Sequence, residues 1–520
     1  MELLGVSCSS ISVAVSVLLA TLIVYTVVVN EQRKKLPPGP WPWPIIGNLP
    51  AFMTARRHRF LQKLATKHGG LMYLQLGRVP CLVISTAAAA KDFFNAHDAA
   101  FASRPLGLVS SILVAGKTVG SAPYGPHWRQ IRRITNQELF SPVRHASHEA
   151  VRDKEIRHML GLLLDQSPTT VNLRSWLMQV FANNLTRMLI NKRYFGSSAE
   201  SEQEKRDFVE LLRRRNEAFG AFVLGDYVPD YLTWITYKLQ GVVPKFEATR
   251  DFGESVTAKI FELENHRHSR ARAQPGDVPD FVDVMLNAPL HDGKPMADPD
   301  IMLLLLGMMA AGTDTSTVAV EWAMAELMAN PRTMKAAQEE LDAVVGTERI
   351  VQESDIANLP YLRAIVKETF RLHPPVPLSL THKSTQPCEV SGFQLPGHTH
   401  LVLNIFAIHR DPNVYERPDE FEPRRFLNSP EGDLWSRQDS YQLLPFGAGR
   451  RMCPGYNLGN LMVSLLLAHL LHSFNWSFPA GQSVKDLDMS DTLNLMGFKS
   501  LPLCLLATPR SPAFLYEGST

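Results

Sequence analysis

The sequence predicts one large, mainly α-helical domain with a small β portion, preceded by a single N-terminal transmembrane helix. Short β-rich runs occur near residues 70–90 and 385–405, and no alternating strand–helix pattern connects them. Elsewhere the apolar residues follow a helical period, near residues 125–165, 170–195, 205–220, 298–330 and 332–345. With 520 residues, of which 45% are hydrophobic, the chain can bury one extensive core.

The first 30 residues are predicted to form the transmembrane anchor. No charged residue occurs from Leu3 to Asn30, and about 20 apolar residues suffice for a helix to cross a bilayer. Positive charges follow this run at residues 33–35, which predicts that the rest of the chain faces the cytosol. The same order disfavours the alternative, a cleaved signal peptide. Residues 31–44 form a basic, proline-rich hinge that acts as a stiff spacer.

Charge and cysteine usage exclude several classes of protein. The chain has 53 basic and 51 acidic residues, a net charge of +2, whereas nucleic-acid binding requires a strong basic excess. We therefore expect no nucleic-acid partner. The five cysteines are scattered and odd in number, so neither a disulfide framework nor a structural zinc site is indicated.

The segment from Asp298 to Asn330 predicts a long buried helix, with Asp298 as its N-cap and a proline in its first turn. About 33 residues at 1.5 Å each would span about 50 Å. The stretch "AGTDTST" in its middle contains hydroxyls and Asp314, which are costly to bury. Threonines can bond to the preceding turn, but this does not explain Asp314, so we expect a functional site. Ala311 and Gly312 leave room there for a flat group.

Two further motifs are weaker when taken alone. Glu368 and Arg371 lie three residues apart on one helix face, and their apolar surroundings predict a buried pair. The same spacing at Glu210 and Arg213 predicts only a surface pair.

Trp128 and Arg132 also share a helix face, since they are four residues apart. An aromatic ring beside a guanidinium suits an anionic planar ligand, and a basic surface helix is an equally good interpretation.

The loop "FGAGRRMCPG" places Cys453 among three glycines and beside Arg451. A thiolate can act as a nucleophile or as a metal ligand, but a nucleophile needs a histidine base and no histidine lies near this loop. Glycines let the backbone turn tightly and direct amide groups toward an anion, and Phe446 could shield the sulfur. A buried structural cysteine would explain neither the glycines nor Arg451.

Together these motifs resemble the cytochrome P450 superfamily of haem-thiolate monooxygenases. The family's FxxGxRxCxG motif is matched by Phe446, Gly449, Arg451, Cys453 and Gly455. Its [AG]GxDT[TS] motif is matched by Ala311, Gly312, Asp314, Thr315 and Ser316. Its ExxR and WxxxR motifs are matched by Glu368 with Arg371 and by Trp128 with Arg132. The resemblance implies a cytochrome P450 fold, with residues 45–520 as the catalytic domain.

The resemblance also implies a cofactor and residue roles. The cofactor is expected to be haem b, whose axial thiolate from Cys453 favours O–O cleavage. Asp314 and Thr315 are expected to deliver protons to dioxygen. The other cofactor-binding residues are expected to be Trp128, Arg132, His382, Arg451, Phe446, Gly449, Ala311 and Gly312. A structural network for folding and haem retention is expected from Glu368, Arg371 and Arg425.

Segments such as "LPPGPWPWPIIGNL" and "KETFRLHPP" resemble plant A-type microsomal members, especially flavonoid 3′,5′- and 3′-hydroxylases. This implies hydroxylation of an apolar or aromatic plant metabolite, with the flavonoid or phenylpropanoid type favoured. Terpenoid, alkaloid, amino-acid-derived and fatty acid substrates are alternatives. A reductase-independent isomerase or dehydratase, or a non-catalytic haem sensor or electron carrier, remains a different functional class.

The resemblance further implies O2 and NADPH-cytochrome P450 reductase as partners. The sequence contains no flavin or nicotinamide fingerprint, so the reductase must be a separate protein. The expected location is the endoplasmic reticulum membrane, in contact with membrane lipid, with one span and the catalytic domain in the cytosol. Residues 219–246 are rich in aromatics and predict either core or a segment that enters the membrane surface. By family analogy the substrate pocket is formed by residues 101–122, 300–316, 375–382 and 493–500.

Overall fold

The computed structural model describes most of the chain from residue 27 to residue 510. The gaps in this range are residues 32, 54–55, 197–198, 271–279, 289–292, 428–440 and 493, and only isolated positions are described nearer the ends. The predicted anchor, residues 1–30, therefore lies largely outside the described residues. Within the described part, one helix is long and apolar enough to cross a membrane, and it is the helix Asp298–Ala329 of the protein core.

The described residues form a mainly helical body, as the sequence predicts. Its helices are α1 Leu49–Phe52, α2 Arg57–His68, α3 Ala87–His97, α4 Leu108–Val114, α5 Pro126–Glu138, α6 Pro142–Ser147, α7 Glu149–Asp165, α8 Leu173–Ile190, α9 Ala199–Gly220, α10 Asp230–Gln240, α11 Val242–Phe261, α12 Leu263–Arg270, α13 Phe281–Asn287, α14 Asp298–Ala329, α15 Pro331–Val344, α16 Pro360–Leu372, α17 Ile405–Ile408 and α18 Tyr456–Ser473.

The strands are few and short, and in the described residues they form three small sheets. They are β1 Leu71–Leu76, β2 Val79–Ile84, β3 Thr170–Asn172, β4 His382–Lys383, β5 Cys388–Val390, β6 Phe393–Leu395, β7 His400–Leu403, β8 Phe474–Ser477 and β9 Cys504–Pro509. The first sheet has the order β1-β2-β7-β4, with β2 and β7 parallel. The second has the order β3-β9-β8, and β5 pairs with β6.

The long helix α14 organises the core because it is apolar on all sides. It packs against α8, α16 and α18, and most of its residues from Thr313 onward are buried. The largest apolar cluster of the protein forms around it. A helix surrounded in this way is held rigidly, so side chains that project from its middle are placed precisely.

Two details of the helices differ from the expectations. Asp298 is not the N-cap of α14: Ala297 occupies that position, and the Asp298 carboxylate accepts a hydrogen bond from Arg267 at 2.8 Å. The helical run at 125–165 consists of three helices. It is interrupted at Ser141, whose side chain caps α6 immediately before Pro142, because a proline is well accommodated in the first turn of a new helix.

Candidate active site

A cavity of about 1160 Å³ lies between the middle of α14 and the cysteine loop. Its lining includes residues from all four segments predicted to form the pocket. It also extends to residues of α8 and to the end of α9, which the sequence did not indicate. Most of the side chains around it are apolar, as expected of a pocket for a small organic molecule.

The structure brings most of the predicted site residues to this cavity and leaves the others behind its wall. Those that line it are Ala311, Gly312, Asp314, Thr315, Arg132, His382, Phe446, Arg451 and Cys453. Those that do not line it are Trp128, Gly449, Glu368, Arg371 and Arg425.

The cysteine loop is a tight turn that depends on two of its three glycines. Gly447 and Gly449 have φ angles of 73° and 69°, in the region that side chains disfavour. A Cβ atom on Gly449 would also lie 2.3 Å from Asp98 Oδ1. Gly455 has an ordinary φ of −91°, so this glycine does not supply a left-handed conformation to the turn. The turn is closed by the Cys453 amide, which donates to Phe446 O at 3.0 Å.

The surroundings of Cys453 act on its charge in opposite directions. Burial raises the pKa of the thiol, whereas the amide of Gly455 and the guanidinium of Arg132 lower it. Arg132 is fixed by a hydrogen bond to Met452 O at 2.7 Å. The ring of Phe446 packs on Phe370 at 5.4 Å between centroids. The thiol thus lines the cavity with an amide donor and a positive charge close to it, which suits a thiolate that binds a metal.

Arg451 and Trp128 form a stacked unit beside the cysteine loop. The guanidinium lies 4.2 Å from the indole centroid and donates to Ala102 O and Ala122 O, each at 2.6 Å. The indole N–H of Trp128 donates to Val119 O at 3.0 Å. Because an indole has only one donor, Trp128 contributes here by holding Arg451 in place.

Sequence reasoning missed Arg104, which lies next to this unit and lines the same cavity. It is 8% exposed and donates to Gly120 O at 3.1 Å and to Leu380 O at 2.6 Å. Burial and the nearby Arg451 lower the pKa of Arg104 to about 9. In the sequence, Arg104 stands alone in "FASRP", without a partner at helical or strand spacing that would have identified it.

His382, on strand β4, lies near Arg104 and Arg451. Its Nδ1 lies 3.2 Å from Phe101 O, and burial followed by the charge of Arg104 lowers the pKa of His382 well below its usual value. The cavity therefore has one side that carries Arg104, Arg132 and Arg451. No carboxylate among the described residues forms an ion pair with any of these three guanidiniums.

This arrangement is a test of whether the expected haem fits the site. Buried cations without a counter-ion are costly, and the two propionate carboxylates of haem b would supply the missing negative charge. Cys453 lines the same cavity and offers an enclosed sulfur for the iron. Ala311 presents an exposed, small surface from α14. The residues present therefore fit a flat, dianionic, thiolate-bound group.

Gly312 lines the cavity and also has a packing role that the sequence did not indicate. A Cβ atom at this position would lie 2.8 Å from Leu185 Cδ1, so the glycine allows α8 and α14 to approach each other closely.

Asp314 and Thr315 lie on α14 at the edge of the cavity. The Thr315 hydroxyl donates to Ala311 O at 2.7 Å, the bond to the preceding turn that the sequence suggests. Asp314 has no such explanation, since its Oδ1 atom is buried without a hydrogen-bond partner in the part of the chain that the structure describes. Burial raises the pKa of Asp314 to about 7, although the charge of Arg215 opposes the shift. This carboxyl can therefore hold or release a proton near neutral pH.

Glu368 and Arg371 form a buried network behind the cavity. Both side chains are 0% exposed, and two hydrogen bonds of 2.7 and 2.8 Å join them. Arg425 donates to Glu368 Oε1 at 3.0 Å. Arg371 also donates to the carbonyls of His409, Pro418 and Glu420. The predicted contacts of this triad are all present. By contrast, Glu210 and Arg213 form the expected exposed pair.

Comparison with known proteins identifies the family. The model of the cytochrome P450 family matches residues 37–504. The chain is 38% identical to a flavonoid 3′,5′-hydroxylase of Eustoma exaltatum subsp. russellianum, over 94% of each chain. It is also 38% identical to a flavonoid 3′-monooxygenase of Petunia hybrida, over 93% of this chain and 94% of the relative. A solved zebra fish cytochrome P450 structure with abiraterone has a TM-score of 0.70 at 21% identity, covering 87% of this chain and 99% of that one.

Fold and site together define a mainly helical haem-thiolate monooxygenase. The chain belongs to the cytochrome P450 family, and its cofactor is haem with a cysteine thiolate as axial ligand.

Proposed function

We propose that this chain is a microsomal monooxygenase that hydroxylates an aromatic plant metabolite of the flavonoid or phenylpropanoid type, with electrons from NADPH-cytochrome P450 reductase. The observation that carries the proposal is one cavity lined by the enclosed thiol of Cys453 and by Asp314 and Thr315. The substrate class is supported by the relatives, which are flavonoid hydroxylases similar over nearly their whole length.

In this proposal the polar residues of the cavity divide into two groups. Cys453 binds the iron, while Arg104, Arg132 and Arg451 bind the propionates, with His382 beside them. The haem supplies the activation of O2, from which one oxygen atom enters a C–H bond of the substrate and the other becomes water. Trp128 positions Arg451 for this contact, and Phe446 keeps water from the sulfur.

Asp314 and Thr315 would manage protons at the other side of the cavity. A carboxyl with a pKa of about 7 can take a proton from water and release it again without a large barrier. The Thr315 hydroxyl, whose own proton is directed at Ala311 O, can still accept a hydrogen bond and orient water in the cavity. This use of Asp314 favours a reductase-dependent oxygenase over an isomerase or dehydratase, because those reactions need no proton delivery to O2.

The membrane attachment is supported by exposed apolar residues in two segments. The hinge and its neighbourhood expose Trp41, Trp43, Ile45 and Met53, and α10 exposes Tyr231, Trp234 and Leu239. The two segments meet at the β1–β2 turn, where Gly77 donates to Ile46 O and Arg78 forms an ion pair with Asp230. Neighbouring segments that expose apolar side chains in this way suit contact with lipid. We therefore assign α10 to the membrane surface, and the buried Val223 and Phe246 to the core.

The test of the function is turnover with flavonoid and phenylpropanoid substrates in the presence and absence of NADPH and reductase. Product that requires both supports the proposal, and product formed equally well without them would refute it. Thr315→Ala should lower the ratio of product to NADPH consumed by about tenfold or more. Thr313→Ala is the matched control, because Thr313 is fully buried on the same helix and does not line the cavity.

A further inference from the structure

Three consecutive arginines near the end of α9 have very different surroundings. Arg213 pairs with Glu210 and Glu217, and Arg214 pairs with Glu210, all on the protein surface. Arg215 turns inward instead, is 8% exposed and lines the cavity. Among the described residues it has no ion pair or hydrogen bond, and its nearest aromatic contact is the ring of Phe219 at 5.6 Å. A guanidinium in this position requires an explanation, because a buried cation without a counter-ion is costly.

Asp314 does not fully compensate this charge. Of the described acidic groups, Asp314 raises the pKa of Arg215, which burial nevertheless lowers to about 10. The two side chains form no ion pair, and the raised pKa of Asp314 leaves that carboxyl only partly ionised near neutral pH. The donors of Arg215 are thus available to a ligand in the cavity.

Contacts made by neighbouring residues fix the helix end from which Arg215 projects. The next residue, Asn216, accepts a hydrogen bond from the Met496 amide at 2.9 Å. At the end of the helix, Arg57 donates to Gly220 O at 3.1 Å, and a Cβ atom on Gly220 would lie 2.7 Å from Leu495 N. The helix end is therefore a fixed part of the cavity wall, and only the Arg215 side chain itself has to be ordered when a ligand binds.

We propose that Arg215 binds an anionic oxygen of the substrate, either a carboxylate or an ionised phenol, on an otherwise apolar molecule. The apolar part of the ligand matches the apolar lining of the same cavity, which includes Leu304, Met308, Phe181, Val109 and Phe219. The planar fork of a guanidinium recognises such oxygens with two hydrogen bonds. This inference rests on the proposed function, and it narrows the substrate class to molecules that carry one acidic oxygen.

The test is calorimetric titration of the haem-loaded enzyme with two matched pairs of ligands. The first pair is 4-coumaric acid and its methyl ester, which differ in the carboxylate. The second pair is naringenin and its 7-O-methyl ether, which differ in the acidic phenol. We expect about tenfold tighter binding of the acidic member of one pair, as a charged hydrogen bond of this kind provides. The pair that shows the preference identifies the group that Arg215 binds, a carboxylate or an ionised phenol.

Arg215→Gln should abolish this preference by weakening the acidic ligand about tenfold while leaving its neutral partner unchanged. Arg213→Gln, next to it on the surface, should keep the preference. If Arg215→Gln does not fold, Arg215→Lys takes its place and should weaken the acidic ligand several-fold, since lysine keeps the charge without the fork.

Equal binding of both members of both pairs by the wild type would overturn the inference. So would a variant at Arg215 that weakens acid and neutral partner by the same factor, because that result indicates a structural role. The titration contains no NADPH, O2 or reductase, so its outcome is independent of turnover. Failure of the inference would leave the proposed oxygenase reaction intact, and absence of turnover would not alter the binding result.

Discussion

Two clusters of buried arginines in this protein differ in whether their charge has a partner. Behind the cavity, Arg371 and Arg425 share the carboxylate of Glu368, and Arg371 also donates to three backbone carbonyls. Beside the cavity, Arg104 and Arg451 donate only to carbonyls in the described structure. The first cluster is complete within the polypeptide and serves the fold. The second is complete only when an anion binds, and it therefore indicates a ligand.

The largest effect is expected from breaking the complete cluster. Glu368→Gln leaves Arg371 fully buried without its carboxylate, which should lower the free energy of unfolding by about 3–5 kcal/mol. Urea denaturation followed by circular dichroism measures this loss. Glu210→Gln is the control with identical ExxR spacing on the surface, where Arg213 is 54% exposed and the expected loss is at most about 1 kcal/mol. Similar losses for the two variants would contradict the distinction.

Glu368 and Arg371 also show how much of the site could be predicted from the sequence. ExxR recurs along the chain, for example at Glu210 and Arg213, and the apolar residues around Glu368, together with the double proline that follows, distinguish the buried pair from this surface pair. The cysteine loop and Asp314 could also be identified, because glycine spacing and a carboxylate in an apolar helix are local signals. The helical body and the strands near residues 70–90 and 385–405 follow from periodicity in the same way, whereas the sheet β3-β9-β8 was not predicted.

Arg104 and Arg215 could not be identified from the sequence, because each acquires its environment only through tertiary packing. Arg215 follows two surface arginines in "LLRRRNE", and nothing local marks the third as different. Asp298 shows the opposite error: the sequence suits an N-cap, but its carboxylate is used by Arg267 of a neighbouring helix. Gly312 is explained by Leu185 of α8, a contact that no pattern within α14 reveals.

A second prediction concerns Asp314, the buried carboxyl whose Oδ1 has no hydrogen-bond partner among the described residues. Its pKa is raised from 3.8 to about 7, so the folded state binds a proton more tightly than the unfolded state. Stability contributed by this proton is present below about pH 4 and is lost as the pH rises to about 7. Asp314→Asn should remove that dependence, worth about 2–4 kcal/mol between these limits.

The measurement is the free energy of unfolding of wild type and Asp314→Asn at several pH values. The advantage of the wild type over the variant should shrink as the pH rises, and a difference that stays constant would refute the shift. Arg215 is the charged residue that opposes it. In the Arg215→Gln background the pH range of the effect should therefore move upward.

A third prediction tests the incomplete cluster directly. Arg104→Met should accelerate haem loss to an acceptor globin by about tenfold to a hundredfold, because a charge-assisted hydrogen bond to a propionate contributes about 1.5–3 kcal/mol. Stability of the haem-free protein should fall much less than in Glu368→Gln, because the methionine side chain removes an unpaired charge. Arg425→Met is the control, because the Arg425 guanidinium belongs to the complete cluster. This substitution should affect the free energy of unfolding more than haem retention. Unchanged haem loss in Arg104→Met would show that Arg104 does not bind the cofactor.

The smallest effect is expected at α10, where apolar side chains, rather than charged ones, are exposed. Leu239 is 81% exposed on α10, beside Tyr231 and Trp234, and contact with lipid would bury it. Leu239→Gln, in a protein that lacks residues 1–30, should weaken binding to phospholipid vesicles by about 1 kcal/mol, or several-fold, in a flotation assay. Stability should change by less than about 0.5 kcal/mol, because the side chain has few protein contacts to lose. Val143→Gln replaces an equally exposed apolar residue at the start of α6 and should leave vesicle binding unchanged. If both variants bind vesicles as the unaltered protein does, α10 is not the membrane contact, and something other than lipid must cover its exposed apolar side chains.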